Sequence, residues 1–426
     1  MSKILLGCIA DDFTGATDLA SNLVREGMRV VQTIGVPQGP LDGDADAVVV
    51  ALKSRTIPAS EAVQQSLEAA RWLKAQGAQQ YYFKYCSTFD STPAGNIGPV
   101  TDALMAELNA GFTIACPAFP ENGRVVFKGH LFVGDVLLQE SGMRNHPLTP
   151  MTDSNLVRVL QAQTSRNVGL IDHTVVEQGS AAIKARIDAL AAKGITIAVV
   201  DATTNEDLRK LGPALEQLSL VTAGSGVAIG LPKNFGLEPR NLASSLPPAE
   251  GRRAIVSGSC SVATNAQVAD FKQRGGAAYP IDPFQLLENP SSVEKALRWA
   301  ADADHSLPVL IYATADPDAV KAVQQKIGVA EAGELVEHAL SSIARGLVQQ
   351  GVGELIVAGG ETSGACVKAL DIMQMRIGPQ IAPGVPWCYA QSPHAARGGL
   401  HITLKSGNFG ATDFFTSAFT ALEVAA

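Results

Sequence analysis

Aromatic residues are scarce in this 426-residue chain, at 5%, and charged residues make up only 17%. Its core is therefore expected to be built from Ala, Val, Leu and Ile, within a hydrophobic content of 46% that leaves little room for disorder. Positive charge is also in deficit. With 33 Lys and Arg against 41 Asp and Glu, the formal net charge is −8, so there is no electrostatic footprint for a nucleic-acid backbone or an anionic membrane surface. An anionic substrate would need a local cluster of cations.

The six cysteines, Cys8, Cys86, Cys116, Cys260, Cys366 and Cys388, form no C-x-x-C pair and no zinc spacing. Reduced, mostly buried thiols in a cytoplasmic protein are the expectation. No apolar run is long enough for a membrane span, and Asp11 and Asp12 end the N-terminal run before a signal-peptide core could form. The histidines show no H-E-x-x-H, so no metal ligands are assigned; His394, near Arg397, is expected to be structural. A G-x-x-x-x-G-K-[ST] P-loop is absent too.

What is present is alternation. Short β-branched runs, polar or Gly-rich turns and segments of helical period follow one another, which predicts α/β architecture with mainly parallel sheets flanked by helices. The chain also exceeds the roughly 250–300 residues at which single cores stop growing. Two domains are expected, residues 1–235 and 253–426, joined by a linker over 236–252 where Pro, Gly and Ser break all periodicity. The active site would lie in the cleft between them. Residues 122–138, punctuated by Gly123, Gly129 and Gly134, predict a hairpin excursion serving as a flap or as a contact in a homo-oligomer.

In open parallel sheets, ligands bind beyond the carboxyl ends of the strands. Asp11 and Asp12 follow the first predicted strand, Arg55 follows the third, and Lys84 ends the fourth before Tyr85, Cys86, Ser87 and Asp90. One aspartate suffices to cap the following helix; the other is free to bind or deprotonate a hydroxyl. Arg55 reads either as a surface ion pair or as a bidentate carboxylate clamp. Lys84 lies in a strand that reads as buried, where an unpaired ammonium is costly, so an anion is expected beside it. The hydroxyls of residues 87–92 also suit plain turn chemistry. In the second half, three Gly/Ser turns could surround phosphates with backbone N–H groups: Ser257-Gly258-Ser259, Gly360-Glu361-Thr362-Ser363, and the turn around Gly407 beside Lys405. Geometry alone would also explain glycine in each. Residues 224–230 imitate a dinucleotide loop but read as a close-packed turn.

These motifs, Asp11-Asp12-Phe13-Thr14-Gly15-Ala16, Ser54-Arg55, the run Phe83 to Thr92 and Gly359 to Gly364, resemble the four-carbon acid sugar kinases over the whole chain and in order. The Lys84 segment is similar to the 3-oxo-tetronate kinases, and lacks the Arg expected of a plain threonate or erythronate kinase. The resemblance implies a sugar-acid-binding N-terminal domain and an ATP-binding C-terminal domain, with Mg2+ bridging the phosphates. It implies that Asp12, Arg55 and Lys84 to Ser87 touch the acid, and that Ser257 to Ser259, Gly360 to Ser363 and Gly407 touch ATP. Phosphorylation at C4 of 3-oxo-tetronate is the expected activity, with Asp12 or Asp90 as base and Lys84 offsetting phosphoryl charge. The alternatives are a threonate or erythronate kinase, a non-catalytic sugar-acid sensor and, more remotely, a dehydrogenase.

Overall fold

The computed structural model describes residues 4–146, 148–289, 291–304, 306–314, 328–396 and 398–425. Arg397 and Lys3 lie outside them. The chain forms two compact units, Met1–Ser244 and Ser245–Ala426.

The first unit holds β1 (Leu6–Ala10), β2 (Val30–Ile34), β3 (Ala47–Ala51), β4 (Gln80–Lys84), β5 (Thr113–Cys116), β6 (Arg124–Phe127), β7 (His130–Val133), β8 (Val136–Leu137), β9 (Asn167–Ile171), β10 (Ile195–Val200) and β11 (Leu220–Ala223). Its main sheet has the order β2-β3-β1-β4-β11-β5-β10-β9, and every pairing is parallel. Helices cross between successive strands, including Phe13–Arg25, Ala59–Ala75 and Ile97–Glu107. The uninterrupted Ala47–Ala51 run, AVVVA, is buried throughout, as a strand covered on both faces must be. All of β4 is buried as well, including its terminal lysine. Strands β6, β7 and β8 form a separate antiparallel sheet, the predicted hairpin excursion.

The sheet reverses direction of growth at β1. From β1 the chain crosses to β2, two positions away on one side, returns to β3 beside β1, and then passes to β4 on the other side. Such a switch point opens a crevice, because crossovers leave in opposite directions from adjacent strands. Register brings the strand ends level: Ala10 pairs with both Ala51 and Lys84. The residues that follow therefore emerge side by side.

The second unit holds β12 (Arg252–Ser257), β13 (Ala277–Pro280), β14 (Val309–Tyr312), β15 (Val352–Ala358), β16 (Gln374–Ala382), β17 (Val385–Gln391) and β18 (Gly399–Lys405). Their order is β13-β14-β12-β15-β18-β17-β16, parallel as far as β18 and antiparallel over the last two pairings. A core of Ile255, Phe271, Leu310, Ile356, Trp387, Phe415 and neighbours fills it. A second switch point falls between β12 and β15, and Ser257, Ala358 and Lys405 are level in register.

The segment expected as a linker is anchored rather than loose. Arg240 Nε donates to the Gly27 carbonyl at 3.1 Å and its Nη2 lies 3.4 Å from Asp46, which ties this stretch to the first unit. Beyond Ser244 the chain belongs to the second, where His401 Nε2 sits 2.9 Å from the Pro247 carbonyl.

Candidate active site

At the first switch point the residues after β1, β3 and β4 form one charged cluster. Asp12 starts the Phe13–Arg25 helix: its Oδ1 accepts from Gly15 N at 2.8 Å and its Oδ2 from Thr14 Oγ1 at 3.1 Å. Such a cap satisfies one of the helix's orphan donors and places a negative charge on the positive end of the dipole. Arg55 grips Asp11 with two bonds of 2.9 Å through Nε and Nη2. The same Nη2 lies 2.8 Å from Asp12 Oδ1, while Nη1 faces Asp90 Oδ2 at 4.0 Å. The guanidinium is thus committed on one edge and open on the other.

Lys84 is 3% exposed at the end of β4. Among the described residues no carboxylate lies within ion-pair distance of its Nζ and no hydrogen bond to it is found. Its position along the capped helix is set by Gly15, where a Cβ would overlap Asp12 Oδ1 and come 2.5 Å from Lys84 Nζ. Burial pushes the Asp12 carboxyl up, but Arg55, Lys84, the Gly15 N–H and the Thr14 hydroxyl outweigh it and hold the group below its ordinary value. Desolvation likewise opposes the charge on Arg55, and Asp11 and Asp12 more than offset it, raising its pKa well above normal. Both groups therefore stay charged at neutral pH.

The loop after β4 closes the site. Phe89 adopts a left-handed conformation with φ of 53°, a strain of about 1–3 kcal/mol for a bulky residue. Its ring packs edge-on against Tyr85 at 5.3 Å, fully buried, which holds the turn in place. The turn brings Asp90 back towards Arg55, with Thr88 Oγ1 donating to Asp90 Oδ1 at 2.6 Å and Cys86 Sγ 2.8 Å from Thr88 Oγ1. Burial pushes the Cys86 thiol up to about 12, so it is not a nucleophile at neutral pH. Ser87 is half-buried in the same loop. Tyr85 turns away: its hydroxyl donates to the Thr222 carbonyl at 3.1 Å inside the core. It serves as packing beneath the site.

Two contributors carried no assigned role in the sequence reading. Asn96 Nδ2 donates to the carbonyls of Ser54, Arg55 and Ile57 at 2.7, 3.1 and 3.0 Å, buttressing the loop that carries Arg55. Its place after Gly95 was visible but its targets, about forty residues away, were not. Asp18 is buried on the Phe13–Arg25 helix, accepts from Ser225 Oγ, and has an Oδ1 with no partner. Burial raises its pKa to about 6 against the opposing pull of Lys84. Only an acid close to an apolar helical stripe hinted at it. The 224–230 segment that supplies Ser225 is a tight 3-10 turn, where Gly226 and Gly230 approach neighbouring backbone too closely for a Cβ.

In the second unit the loops after β12, β15 and β18 converge in the same way. Gly258 N and Ser259 N both donate to the Ala358 carbonyl, at 2.9 and 3.2 Å, and Gly359 N donates to the Lys405 carbonyl at 2.8 Å. A Cβ on Gly258 would overlap Thr362 Oγ1, and one on Gly407 would come 2.6 Å from Ser259 Oγ. Ser257 lies beneath, fully buried, with its hydroxyl 2.6 Å from that of Thr314. Gly359, at φ of 130°, turns the chain into the Gly360–Ala369 helix. Gly360 and Glu361 are exposed on its first turn, while Ser363 is buried and bonded back to the Gly359 carbonyl at 2.6 Å. Ser261 caps the Val262–Gln273 helix. Two helix N-termini beside loops whose glycines pack closely on their neighbours suit phosphate oxygens. No group of three or more His, Cys, Asp or Glu side chains able to hold a metal ion is found among the described residues.

The chain matches two family models, "Sugar-binding N-terminal domain" over residues 6–231 and "Nucleotide-binding C-terminal domain" over residues 254–415. It is 58% identical to the 3-oxo-tetronate kinase of Burkholderia multivorans over 100% of this chain and 99% of that protein. The 3-oxo-tetronate kinase of Cupriavidus necator is 56% identical over 98% of this chain and 97% of its own length. A solved structure from Salmonella typhimurium LT2, which carries a provisional tRNA-synthase description, superposes with a TM-score of 0.89 at 46% identity, covering 97% of this chain and 98% of that one.

Proposed function

The chain belongs to the four-carbon acid sugar kinases, among the 3-oxo-tetronate kinases, and we propose that it transfers the γ-phosphoryl group of ATP to the C4 hydroxyl of 3-oxo-tetronate. The observation that carries the acceptor side is Lys84, a buried ammonium without a carboxylate at ion-pair distance among the described residues. Asp12 and Asp18 act on it only from beyond ion-pair distance, so an anion arriving in direct contact would be favoured. Arg55 keeps Nη1 on its open edge, and together the two cations suit an acid whose carboxylate or transferring phosphoryl group lies between them.

Phosphoryl transfer asks mainly for positioning and charge neutralisation. Asp12 is engaged by Gly15 N, Thr14 Oγ1 and Arg55 and is a weakened base, so we assign it to orienting the acceptor hydroxyl. Asp90 Oδ2 faces Arg55 Nη1 at 4.0 Å with no closer polar partner among the described residues, and retains lone pairs for the hydroxyl proton. The glycine-lined loops around Ser259, Gly360 to Thr362 and Gly407 would take the nucleotide phosphates through backbone N–H groups. Mg2+ entering with ATP would neutralise phosphate charge; an ion held by phosphates and water needs no protein cage, which fits the scattered acids of this unit. The net charge of −8 offers no general attraction for tRNA. Free, mostly buried thiols accord with a cytoplasmic setting.

The test is ATP consumption with 3-oxo-tetronate, threonate and erythronate as acceptors, repeated with Asp90→Asn. Turnover on the oxo acid far above the others, with kcat lower by about 10²-fold or more in the variant, supports the reading. Preference for threonate or erythronate would overturn the acceptor, and an unimpaired Asp90→Asn would overturn the base.

A further inference from the structure

We propose that Lys405 provides the fixed positive charge of the nucleotide site, acting from beneath the Gly407 loop as a positioning residue rather than by touching the phosphates. This rests on assigning the loops after β12, β15 and β18 to the nucleotide. Lys405 ends β18 and is fully buried. Its Nζ donates to Thr264 Oγ1 at 3.0 Å, to the Ser406 carbonyl at 3.1 Å and to the Gly407 carbonyl at 3.1 Å. All three acceptors are neutral. The Gly407 carbonyl also accepts from Ser261 Oγ at 2.6 Å and Thr264 Oγ1 at 2.8 Å, so this one oxygen anchors the loop to the start of the Val262–Gln273 helix.

The anchoring has a direction. In a trans peptide the N–H points opposite to the preceding carbonyl, and the chain has no cis peptide among the described residues. With the Ser406 and Gly407 carbonyls turned onto the ammonium, the N–H groups of Gly407 and Asn408 point away from it. Gly407 lies against Ser259, with no space for a Cβ. This polarised pair of donors lies beside Ser259 and the capped start of the Val262–Gln273 helix, doing without a P-loop what a P-loop lysine does by contact.

Among the described residues no carboxylate lies at ion-pair distance from Lys405. The titratable groups on the elements packed against it are Cys260 in the loop after β12, Asp270 and Lys272 on the Val262–Gln273 helix, Glu361 and Lys368 on the Gly360–Ala369 helix, Cys388 on β17, Glu354 on β15 and His401 on its own strand, with Asp413 after the Gly407 loop. Asp270 pairs with Arg274 at 2.8 Å and Glu354 with Arg253 at 2.9 Å. None of these groups acts on Lys405; burial alone does, lowering its pKa to about 8. An incoming polyphosphate supplies the missing negative charge and should drive the ammonium back to full protonation.

The experiment is calorimetric titration of the full chain with ADP and Mg2+ at pH 7, 8 and 9, each in two buffers of different ionisation heat. For a one-unit rise in the Lys405 pKa on binding, uptake is about 0.4 proton near pH 8 and affinity falls about fivefold from pH 7 to 9. Lys405→Met should bind about tenfold more weakly at pH 7 and show neither effect, whereas Lys405→Arg should keep the affinity and lose the pH dependence. Wild-type binding with no proton uptake and a flat affinity between pH 7 and 9 overturns the proposal while leaving the nucleotide site standing. Absence of ADP binding at every pH overturns the site assignment and this inference with it. Because the wild-type linkage is decisive alone, a variant that fails to fold does not remove the test.

Discussion

Replacing Gly15 by Ala separates the acid site from the fold. A Cβ at this position overlaps Asp12 Oδ1 and comes 2.5 Å from Lys84 Nζ, so the carboxylate must retreat by about 1 Å to reach ordinary contact. The stability terms oppose one another. Ala in place of Gly favours a helix by up to about 1 kcal/mol, while disturbing the Asp12 cap costs about 0.5–2 kcal/mol, leaving a net change near or below about 1 kcal/mol and a Tm shift of a few degrees. Catalysis has no such compensation, because a displacement of about 1 Å in a positioning group costs about 10²-fold. The expected result is a kcat/KM for the sugar acid lowered about 10²-fold, with Tm nearly unchanged and ADP affinity intact. A Gly15→Ala enzyme that folds normally and keeps kcat/KM within about threefold would refute the reasoning, since it would show that neither Asp12 nor Lys84 needs its present place.

Asn96→Ala removes two N–H donors shared among the carbonyls of Ser54, Arg55 and Ile57, which should cost about 1–3 kcal/mol and raise the KM for the acid; an unchanged thermal melt would show that the buttress carries no weight. Asp18, with its pKa raised to about 6, contributes most below its unfolded value of about 4, where it is protonated in both states, and that contribution is lost as pH rises through about 6. The loss is about 3 kcal/mol, so Asp18→Asn should gain Tm relative to wild type on going from pH 4.5 to 7.5; parallel melting curves across that window would contradict this.

The clustering of the candidate site residues was legible because it follows from strand ends. Asp12, Arg55 and Lys84 could be placed together once β1, β3 and β4 were read as neighbouring parallel strands, and the structure puts them within one cluster. The side-chain directions were not legible. Tyr85 follows Lys84 directly, yet its ring packs between Phe83 and Phe89 and its hydroxyl points at Thr222. Arg55 reads from sequence as either an ion pair or a clamp for a substrate carboxylate, and which acids would pair with it was not legible: Asp11 and Asp12 occupy one edge of it. The boundary segment showed the same limit: its Pro and Gly content marked a break in periodicity, but Arg240 binding Gly27 and Asp46 decides which unit it joins.

The sequence by itself determined the α/β class, the two-unit division and the loops gathered at the strand ends, because hydrophobic period, helix caps and glycine turns are local and act within a few residues. Only the tertiary structure decided which charges are paired. Asn96 reaches across 42 residues to Ser54, Lys405 across 141 to Thr264, and Asp18 across 207 to Ser225. Electrostatic character is set by such distant neighbours and by burial, and neither is written in the residues on either side.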